Sequence, residues 1–540
     1  MSNTKTVMSQ AANTQGIPLD ITDVFSTYLY TGTGSAQTIT NGIDLEGEGG
    51  MVWVKNRDTT DWHHLCDTER GSGKILFSNA TNGQVTNNNT ISGFSASGFS
   101  LGGDTAVSTN AEDYASWTFR KAPKFFDVVT YTGDGVAGRT VSHNLGTTVG
   151  SIMIKSTNDD QYWYVYHREL GNGFDMFLNT TNAKNGANTW NYTDPTDTDF
   201  TLSSARANVN GNTYVAYLFA HNDGDGEFGP SGDQDIIKCG SFTFPSSGDV
   251  EIDLGFEPQW VITKRIDGTS PWWIADTMRG WAAQETGSTL SSSTGGNLEA
   301  LFADTAGAEV EYDYGGLTST GFKWASNFNA GTGNTKYIYI AIRRGTLAPP
   351  ESGTEVFNPT YAYEFDIEGN TSSGNGIHGY LGNPTDLYIQ GYLNGSSLNS
   401  IVRSRLTGGN YLVTNANNDE TTSSTNFWDN NVGSGFETSN SVNTSLITWN
   451  WKRAPGFFDV VAYPGDGVAG RTVSHNLGVA PEMIWTAKRS SSSGFKVLSP
   501  NQALLNLHAI NLEYADSTTC QFYGDNSVVI SPTDTNFTVG

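Results

Sequence analysis

The sequence predicts an all-β protein built from tandem antiparallel β-sandwich repeats, jelly-roll or lectin-like, of about 100 residues each. Glycine is abundant, with 62 of 540 residues, and 12% of the residues are aromatic, a composition typical of short strands joined by polar turns. The segment WTFRKAPKFFDVVTYTGDGVAGRTVSHNLG at 117–146 returns at 449–478 as WNWKRAPGFFDVVAYPGDGVAGRTVSHNLG. A recurrence of that length indicates that the chain repeats one structural unit.

Recurring landmarks set the phase of these units. The first landmark is a lysine at the end of a buried-strand pattern, found at Lys55, Lys155, Lys264 and Lys488. The second is a later phenylalanine that precedes an aromatic strand in most units, found at Phe99, Phe200, Phe322, Phe436 and Phe537. The landmarks predict five units, at 24–123, 125–225, 236–348, 356–455 and 457–540, after an N-terminal arm over 1–22. Unit four is degenerate, because Gln390 stands where the others carry lysine, and unit five looks truncated.

The junctions between units are of two kinds. Short Ala-Pro joints at Pro123 and Pro455 connect units one to two and four to five, so those pairs are expected to be stiffly coupled. Turn-rich linkers, 221–235 and 346–359, make the other two connections. After the first joint, Gly135 and Gly138 are expected at positive φ, so that Gly138→Val is strained, whereas Thr132→Pro is mild because unit five already has Pro464 there.

Bulk properties argue against several function classes. A net charge of -26 disfavours phosphate contacts with nucleic acid, which need clustered Lys and Arg. No window approaches the roughly 20 apolar residues of a membrane span, so membrane insertion is not expected. The three cysteines, Cys66, Cys239 and Cys520, are too widely spaced for a disulfide framework or a zinc site, and buried thiols are expected.

No pattern of residues predicts catalysis. The chain has no HExxH sequence. The adjacent His63 and His64 would point to opposite faces of a strand and so could not easily share a metal ion. His143 and His475 recur in the joint, where a turn-stabilising hydrogen bond is expected, and nothing selects a pair of carboxylates for glycoside hydrolysis. We therefore expect a protein that is not an enzyme.

Two sets of residues are weak candidates for binding. Trp62, Trp163 and Trp272 follow the lysine-ending strands and could be either core positions or exposed platforms for a glycan. The linker DGDGEFGPSGDQD offers Asp223, Asp225 and Glu227 as oxygen ligands for calcium, although Phe228 occupies the place of the EF-hand glycine. The other interpretation of that linker is a solvated acidic hinge, with no cofactor.

Several motifs are shared with a known group of proteins. The residues are GGMVWVKNR (49–57), TxRG at Arg70 and Arg279, SGFSLGG (97–103), the run from Tyr214 to Thr243 around DGDGEFGPSGDQDIIKCGS, and LGFEPQWVITKR (254–265). In these the chain resembles the repeat modules of tail-fibre and related tail proteins of marine tailed bacteriophages, over nearly all of 24–540.

The resemblance implies a structural virion protein of the tail, assembled in the host cytoplasm, commonly a homotrimer. It would be attached to tail or adaptor proteins through its N-terminus and involved in host attachment, with host surface polysaccharide as a candidate receptor. Two alternatives stay open: a tail adaptor or collar protein without host contact, and a polysaccharide-degrading tailspike. No catalytic residues come with the resemblance.

The repeat phase makes one further prediction at the C-terminus. In unit two an aromatic strand, Tyr214 to His221, follows Phe200, and the matching position in unit five falls after Gly540. We expect either that the natural chain continues past Gly540 or that a neighbouring subunit donates the strand.

Overall fold

The computed structural model describes most of units one to three and shorter stretches beyond them. The described residues are 18–229, 232–281, 298–312, 314–318, 320–326, 328, 333–345, 353, 356–361, 376–377, 386–392, 399–407, 410–414, 416, 419–421, 426–427, 437–438, 446–463, 465, 467–468, 470–489, 495–498, 508–511, 522–524 and 529–539. Residues 1–17 of the predicted arm, the landmark Phe436, Pro464 and Cys520 therefore lie outside the described residues.

The all-β antiparallel prediction is confirmed. The strand pairs of every sheet run antiparallel, and helix is limited in the described residues to two single turns, α1 (Ile21–Val24) and α2 (Thr105–Ser108), with a 3-10 turn at Arg206–Asn208. Helices this short in the described part of the chain cannot cross a membrane.

The residues of unit one form two facing sheets. Its strands are β1 (Phe25–Thr31), β2 (Gln37–Thr40), β3 (Gly50–Asn56), β4 (His64–Asp67), β5 (Lys74–Ile75), β6 (Val85–Thr86), β7 (Ile91–Ser95), β8 (Gly98–Leu101) and β9 (Asp113–Arg120). The larger sheet has the order β1-β9-β3-β4 and the smaller one β2-β8-β7, and β5 pairs with β6. Tyr30, Val52 and Tyr114 of the larger sheet share a core with Ile39 and Phe99 of the smaller, which makes the unit a sandwich.

The residues assigned to units two and three form large sheets with the same order of first, last, third and fourth strands as in unit one. The strands of unit two are β10 (Phe126–Thr132), β11 (Arg139–Ser142), β12 (Val149–Ser156), β13 (Tyr164–His167), β14 (Phe174–Phe177), β15 (Asn185–Gly186), β16 (Asp199–Leu202) and β17 (Thr213–Ala220). Those of unit three are β18 (Ile237–Thr243), β19 (Val250–Asp253), β20 (Pro258–Arg265), β21 (Trp273–Asp276), β22 (Leu298–Phe302), β23 (Val310–Tyr312), β24 (Gly315–Thr318), β25 (Gly321–Trp324) and β26 (Lys336–Arg343). The large sheets have the orders β10-β17-β12-β13-β14-β15 and β18-β26-β20-β21-β22-β23.

Units four and five supply the remaining strands. Unit four has β27 (Phe357–Tyr361), β28 (Gly376–Ile377), β29 (Leu387–Tyr392), β30 (Ile401–Ser404), β31 (Leu412–Val413), β32 (Asn426–Phe427), β33 (Glu437–Thr438) and β34 (Leu446–Trp451). Unit five has β35 (Arg471–Ser474), β36 (Ile484–Thr486), β37 (Lys496–Leu498), β38 (His508–Asn511), β39 (Phe522–Gly524), β40 (Val529–Pro532) and β41 (Asn536–Val539). The large sheets are β27-β34-β29-β30-β31 and β36-β37-β38-β39.

In units one to four the last strand lies in the middle of the large sheet, between the first and third strands. Side chains of such a strand alternate between the two faces of the sheet. In β9, Tyr114 contributes to the core shared with the small sheet, whereas Trp117 and Phe119 contribute to a second core on the opposite face. Both faces are therefore covered, which explains why these strands are almost continuously apolar in sequence.

The chain enters unit one earlier than the predicted arm suggests. Asp20 caps α1 by accepting from the Thr22 backbone N–H at 3.1 Å, and the Asp23 carboxylate accepts from the Asp20 backbone N–H at 2.8 Å, a capping box. Ile21 is only 1% exposed and belongs to the core of the large sheets. The folded part therefore includes the last residues of the predicted arm.

The joint between units one and two has the predicted glycine conformations, with φ of +71° at Gly135 and +86° at Gly138. We expect Gly138→Val to lower the free energy of unfolding by about 1–3 kcal/mol, because a β-branched residue is strained at positive φ. The measurement is a urea unfolding midpoint. Gly186→Val is the matched control, since Gly186 lies in a strand, without positive φ, and an added Cβ meets nothing within 4 Å. Equal losses in the two variants would contradict the explanation.

Candidate functional site

The outer faces of the large sheets of units one, two and three pack against one another. One continuous core contains Trp53 and Trp117 from unit one, Met153 from unit two, and Trp260 and Ile262 from unit three, all fully buried. The small sheets of units one and three contribute to separate cores on the opposite faces of their large sheets. In unit two, Val141, Phe200 and Leu202 of the small sheet belong to the continuous core itself. We call the three large sheets, β1-β9-β3-β4, β10-β17-β12-β13-β14-β15 and β18-β26-β20-β21-β22-β23, the ring.

In each unit a side-chain nitrogen of an aromatic residue makes a hydrogen bond to a main-chain carbonyl of the preceding unit, and unit one bonds to unit three in the equivalent way. Trp163 Nε1 donates to the Phe77 carbonyl of unit one at 2.9 Å, and Trp272 Nε1 donates to the Phe177 carbonyl of unit two at 2.9 Å. His63 Nε2 lies 3.0 Å from the Phe302 carbonyl of unit three and completes the circle. Each donor residue directly precedes the fourth strand of its large sheet. Each acceptor residue lies at, or just after, the end of the strand that follows this fourth strand in its own unit. The contacts are therefore cyclic, as in a trimer made from one chain.

A second group of contacts runs around the same circle. In unit one Asp67 Oδ2 accepts from Arg70 Nε at 2.6 Å and from the Tyr217 hydroxyl of unit two at 2.8 Å. In unit three Asp276 Oδ2 accepts from Arg279 Nε at 2.6 Å and from Trp117 Nε1 of unit one at 3.0 Å. These carboxylates are completely buried, and each satisfies both its own arginine and a neighbouring unit.

In unit two a histidine replaces this ion pair. His167 stands at the position of Asp67 and Asp276, and its Nε2 lies 3.0 Å from the Tyr339 carbonyl of unit three. Burial lowers the pKa of His167 to about 4 and lowers the pKa of His63 well below its usual range. Trp53 Nε1 donates to His63 Nδ1 at 2.9 Å, so a neutral His63 carries its proton on Nε2 and donates it to Phe302. Two neutral histidines thus join unit three to its neighbours.

Outer contacts close each seam between units. The Gln84 N–H donates to the Thr157 carbonyl at 2.7 Å between units one and two. The Ser270 N–H donates to the Thr181 carbonyl at 3.0 Å between units two and three. Arg57 and Glu309 form an ion pair at 2.6 Å between units one and three, with each side chain 9% exposed. All three seams are therefore polar at the rim and aromatic inside.

Three of the four recurring lysines, Lys55, Lys155 and Lys264, have a structural role. Lys155 Nζ donates to the Ser156 and Asp159 carbonyls at 2.8 and 3.2 Å, and Lys55 makes the same pair of contacts with Asn56 and Thr59. Lys264 also reaches across to the Thr181 carbonyl of unit two at 2.8 Å. Burial lowers the pKa of all three to about 8. Each lysine ammonium therefore stabilises the loop before the residue, His63, Trp163 or Trp272, whose side-chain nitrogen bonds to a neighbouring unit.

The three tryptophans proposed for glycan contact differ in their exposure to solvent. Trp163 and Trp272 are 0% and 2% exposed and donate their indole N–H inside the ring, so no glycan can reach them. Trp62 is 43% exposed and packs on Phe77. The predicted alignment of Trp62 with the other two is wrong by one residue, because His63 occupies their place. Only Trp62 retains an accessible aromatic face.

Two of the three proposed calcium ligands, Asp225 and Glu227, make contacts within the protein. Asp225 accepts from the Thr147 hydroxyl at 2.7 Å and from the Asp223 backbone N–H at 3.0 Å. Glu227 pairs with Lys124 at 2.6 Å. No group of three His, Cys, Asp or Glu side chains suited to a metal occurs among the described residues. In this structure the linker is stabilised by hydrogen bonds and an ion pair.

Of the predicted buried thiols, Cys66 and Cys239 are completely buried and unbridged. Burial raises the pKa of Cys66 to about 12 and raises that of Cys239 further, so both stay protonated. The predicted turn bond of His143 is also present, since its Nδ1 accepts from the Leu145 N–H at 3.2 Å, and His475 does the same with Leu477. These residues are structural.

The joint between units four and five resembles the joint between units one and two in its local structure. Both Ala-Pro joints contain the same isolated bridge, Ala122 with Phe126 and Ala454 with Phe458. A buried charge network then holds this pair to unit three. Arg344 pairs with Glu257 at 2.9 Å and with Asp386 at 2.6 Å, and Arg405 bridges the same two carboxylates at 3.0 and 2.7 Å. Unit four is thereby fixed against the ring.

Sequence reasoning identified the tryptophans but missed Asp67, His167 and Asp276 as seam residues. A signal was present, because DTERG (67–71) and DTMRG (276–280) repeat the same spacing of acid and arginine. The spacing brings Arg Nε onto the carboxylate three residues earlier. The partner across the seam could not be read from the sequence, since it comes from another unit.

A family model described as "Domain of unknown function (DUF7483)" matches residues 20–344. The match begins at the capping residue of α1 and ends directly after β26, so it contains the whole ring and stops before unit four. No curated protein matches the chain.

Proposed function

The chain belongs to the DUF7483 family, whose function is unknown, and we propose from its ring that it is a structural virion protein, a phage tail fibre or tail-attached adhesin used in host attachment. The observation that carries the proposal is the cyclic set of contacts at the three seams. Three similar sandwiches are joined to one another in a cycle, and their buried carboxylates and histidines form hydrogen bonds between units. Such a block is suited to bearing load in a particle rather than to turnover, and no catalytic role is proposed.

The ring of three units in one chain offers an alternative to the proposed homotrimer of three chains. A tail protein with three-fold symmetry needs three equivalent surfaces, and here one polypeptide supplies three similar ones. The two arrangements differ in solution mass: a single-chain ring has 58.2 kDa, whereas a homotrimer has three times that mass. Sedimentation of the purified chain distinguishes them.

An adaptor or collar protein remains the second candidate. The two-unit arm made by units four and five is fixed to the ring by the buried network of Glu257, Asp386, Arg344 and Arg405. A second folded part joined to the ring by buried ion pairs is suited to bridging two virion components. Direct binding of the purified chain to host cells favours the adhesin, and incorporation without cell binding favours the adaptor. Clearing of a host capsule layer would instead indicate the tailspike.

We expect residues 2–17 to attach the protein to the particle. They precede the capped start of the fold at Asp20, so their deletion leaves α1 and the ring intact. The shortened protein should be soluble and should unfold at the wild-type urea concentration, yet be missing from purified virions. A deletion of 2–24 is the contrasting control, because it removes the buried Ile21 and Val24 and should also destabilise the ring. Normal incorporation of the 2–17 deletion would refute the attachment role.

A further inference from the structure

A small cavity lies between unit three and unit five. Its volume is about 30 Å³, and its lining includes Glu257, Arg343 and Arg344 from unit three and Val461, Ser474 and Asn476 from unit five. Ser474 is exposed, so ions from the solvent can enter. A cavity of this size has room for one monatomic ion or a pair of water molecules, and it excludes sugars and phosphate esters.

One of the two arginines that border this cavity has no carboxylate partner. Three arginines of the surrounding network pair with three carboxylates, Arg344, Arg405 and Arg453 with Glu257, Asp386 and Asp459. Arg343 forms no ion pair with any described residue, and its guanidinium makes one long hydrogen bond, from Nη1 to the Asp235 carbonyl at 3.4 Å. The guanidinium carbon lies 5.6 Å from the centre of the Phe256 ring. The network therefore carries one positive charge in excess.

More distant charges leave Arg343 without a bonded anion. Burial lowers its pKa and Arg453 acts in the same direction, whereas Asp20, Asp233 and Asp235 raise the pKa without forming an ion pair with the guanidinium. Asp20 caps α1, and the Asp235 carboxylate accepts from two backbone N–H groups of its own linker. A half-buried guanidinium whose N–H donors are unused is costly, and an anion that accepts from it offsets this cost.

Unit five supplies uncharged donors to the cavity and lacks a carboxylate that unit two has. In unit two the Ser142 hydroxyl donates to Asp199 of the paired strand at 2.7 Å. In unit five the corresponding pair is Ser474 and Asn536, so an amide replaces the carboxylate. Within the described part of the chain, neither the Ser474 hydroxyl nor the side-chain amide of Asn476 has a hydrogen-bond partner. The cavity therefore combines one unpaired cation with neutral donors, which is the composition of an anion site.

We propose that this cavity binds one chloride ion, which pairs with Arg343 of unit three and accepts hydrogen bonds from Ser474 and Asn476 of unit five. The carboxylate in the lining is already paired with two arginines of the network. Because the donors come from two units, the bound ion holds unit five against the ring. Salt in general screens ion pairs, whereas chloride at this site strengthens the contact. The inference does not depend on the proposed virion role.

The test uses the 540-residue protein and sodium chloride as the probe. The chloride NMR signal should show saturable excess line broadening that sodium bromide displaces and sodium gluconate of equal ionic strength does not, because gluconate is too large for the cavity. Arg343→Gln should weaken chloride binding about tenfold or more, the effect expected for loss of a hydrogen bond to a charged group. Arg265→Gln is the matched control, because Arg265 lies in the same large sheet but pairs with Asp267 at 2.7 Å, and its chloride affinity should equal wild type.

A second pair of variants does not alter the buried network. Ser474→Asp places a carboxylate in the cavity lining at an exposed residue and should abolish chloride binding. Thr472→Asp adds the same charge to an exposed residue of the same strand that does not border the cavity, so it should bind chloride as wild type does. Chloride should also slow hydrogen exchange at 475–477 in wild type and in Thr472→Asp, but not in Ser474→Asp.

Three results would overturn the proposal: line broadening that does not saturate, equal displacement by bromide and gluconate, or chloride binding that is unchanged in Arg343→Gln and Ser474→Asp. In each case the cavity contains water, and the chloride signal reports an adventitious ion only. Equal losses in a variant and its matched control would also overturn it. Both aspartate substitutions are at exposed residues, so these variants are expected to fold, and matching circular dichroism spectra verify this.

Discussion

Asp276→Ala is expected to lower the free energy of unfolding by about 3–5 kcal/mol, the range for breaking a buried ion pair by removing one partner. Asp276 Oδ1 accepts from the Arg279 backbone N–H at 2.9 Å, and Oδ2 accepts from both Arg279 Nε and Trp117 Nε1. Both charged side chains are 0% exposed. Alanine leaves a buried guanidinium with Glu309 as its remaining carboxylate and removes the acceptor that joins unit one to unit three.

Urea unfolding followed by tryptophan fluorescence measures this loss. Glu48→Ala is the control, because Glu48 also pairs with an arginine, Arg120, at 3.1 Å, but is 42% exposed. An exposed pair contributes about 0–1 kcal/mol, so the control should unfold close to wild type. A loss below about 1 kcal/mol in Asp276→Ala, or equal losses in the two variants, would show that the seam does not depend on this pair.

The sequence predicted what depends on local pattern. Period-two alternation and turn residues predicted antiparallel strands, and the Gly135–Gly138 turn predicted positive φ, because those properties are set by a few neighbouring residues. The Ala-Pro joint was recognisable for the same reason. These features required no knowledge of what each sheet packs against.

The ring could not be predicted in that way. Its bonds join residues about one repeat or more apart, such as His63 with Phe302, and a repeated apolar position fits both a core within one unit and a seam between units. Trp62 lies one residue before the position in unit one that is equivalent to Trp163 in unit two, and this offset illustrates the difficulty. An exposed tryptophan and a buried one follow the same lysine landmark, and only the pairing of β4 and β13 with their neighbours shows that His63 is the equivalent residue.

Acid is expected to weaken the attachment of unit three before that of the other units. The two side chains responsible, His63 and His167, both have their pKa lowered, chiefly by burial, whereas an unfolded histidine titrates near its ordinary pKa of about 6.5. Below that pH the unfolded state binds more protons than the folded state, so stability falls as pH falls. For His167 the loss continues to about pH 4, its folded pKa, and reaches roughly 3 kcal/mol.

Urea midpoints between pH 7.5 and 4.5, a range of working conditions chosen around the histidine titration, measure the effect. Carboxylates and the nearby Arg168 and His221 also shape this pH dependence, so the informative quantity is the difference between wild type and His167→Gln. Glutamine can donate to the Tyr339 carbonyl but cannot take up a proton, and its unfolding midpoint should fall less steeply with acid. Among the described residues no histidine bonds across the seam between units one and two, which is joined by Trp163 and Tyr217, so this seam should lose hydrogen-exchange protection last. Parallel pH profiles for the two proteins, or earliest exchange at the Phe77 seam, would contradict the assignment of His167 as the acid-sensitive contact of unit three.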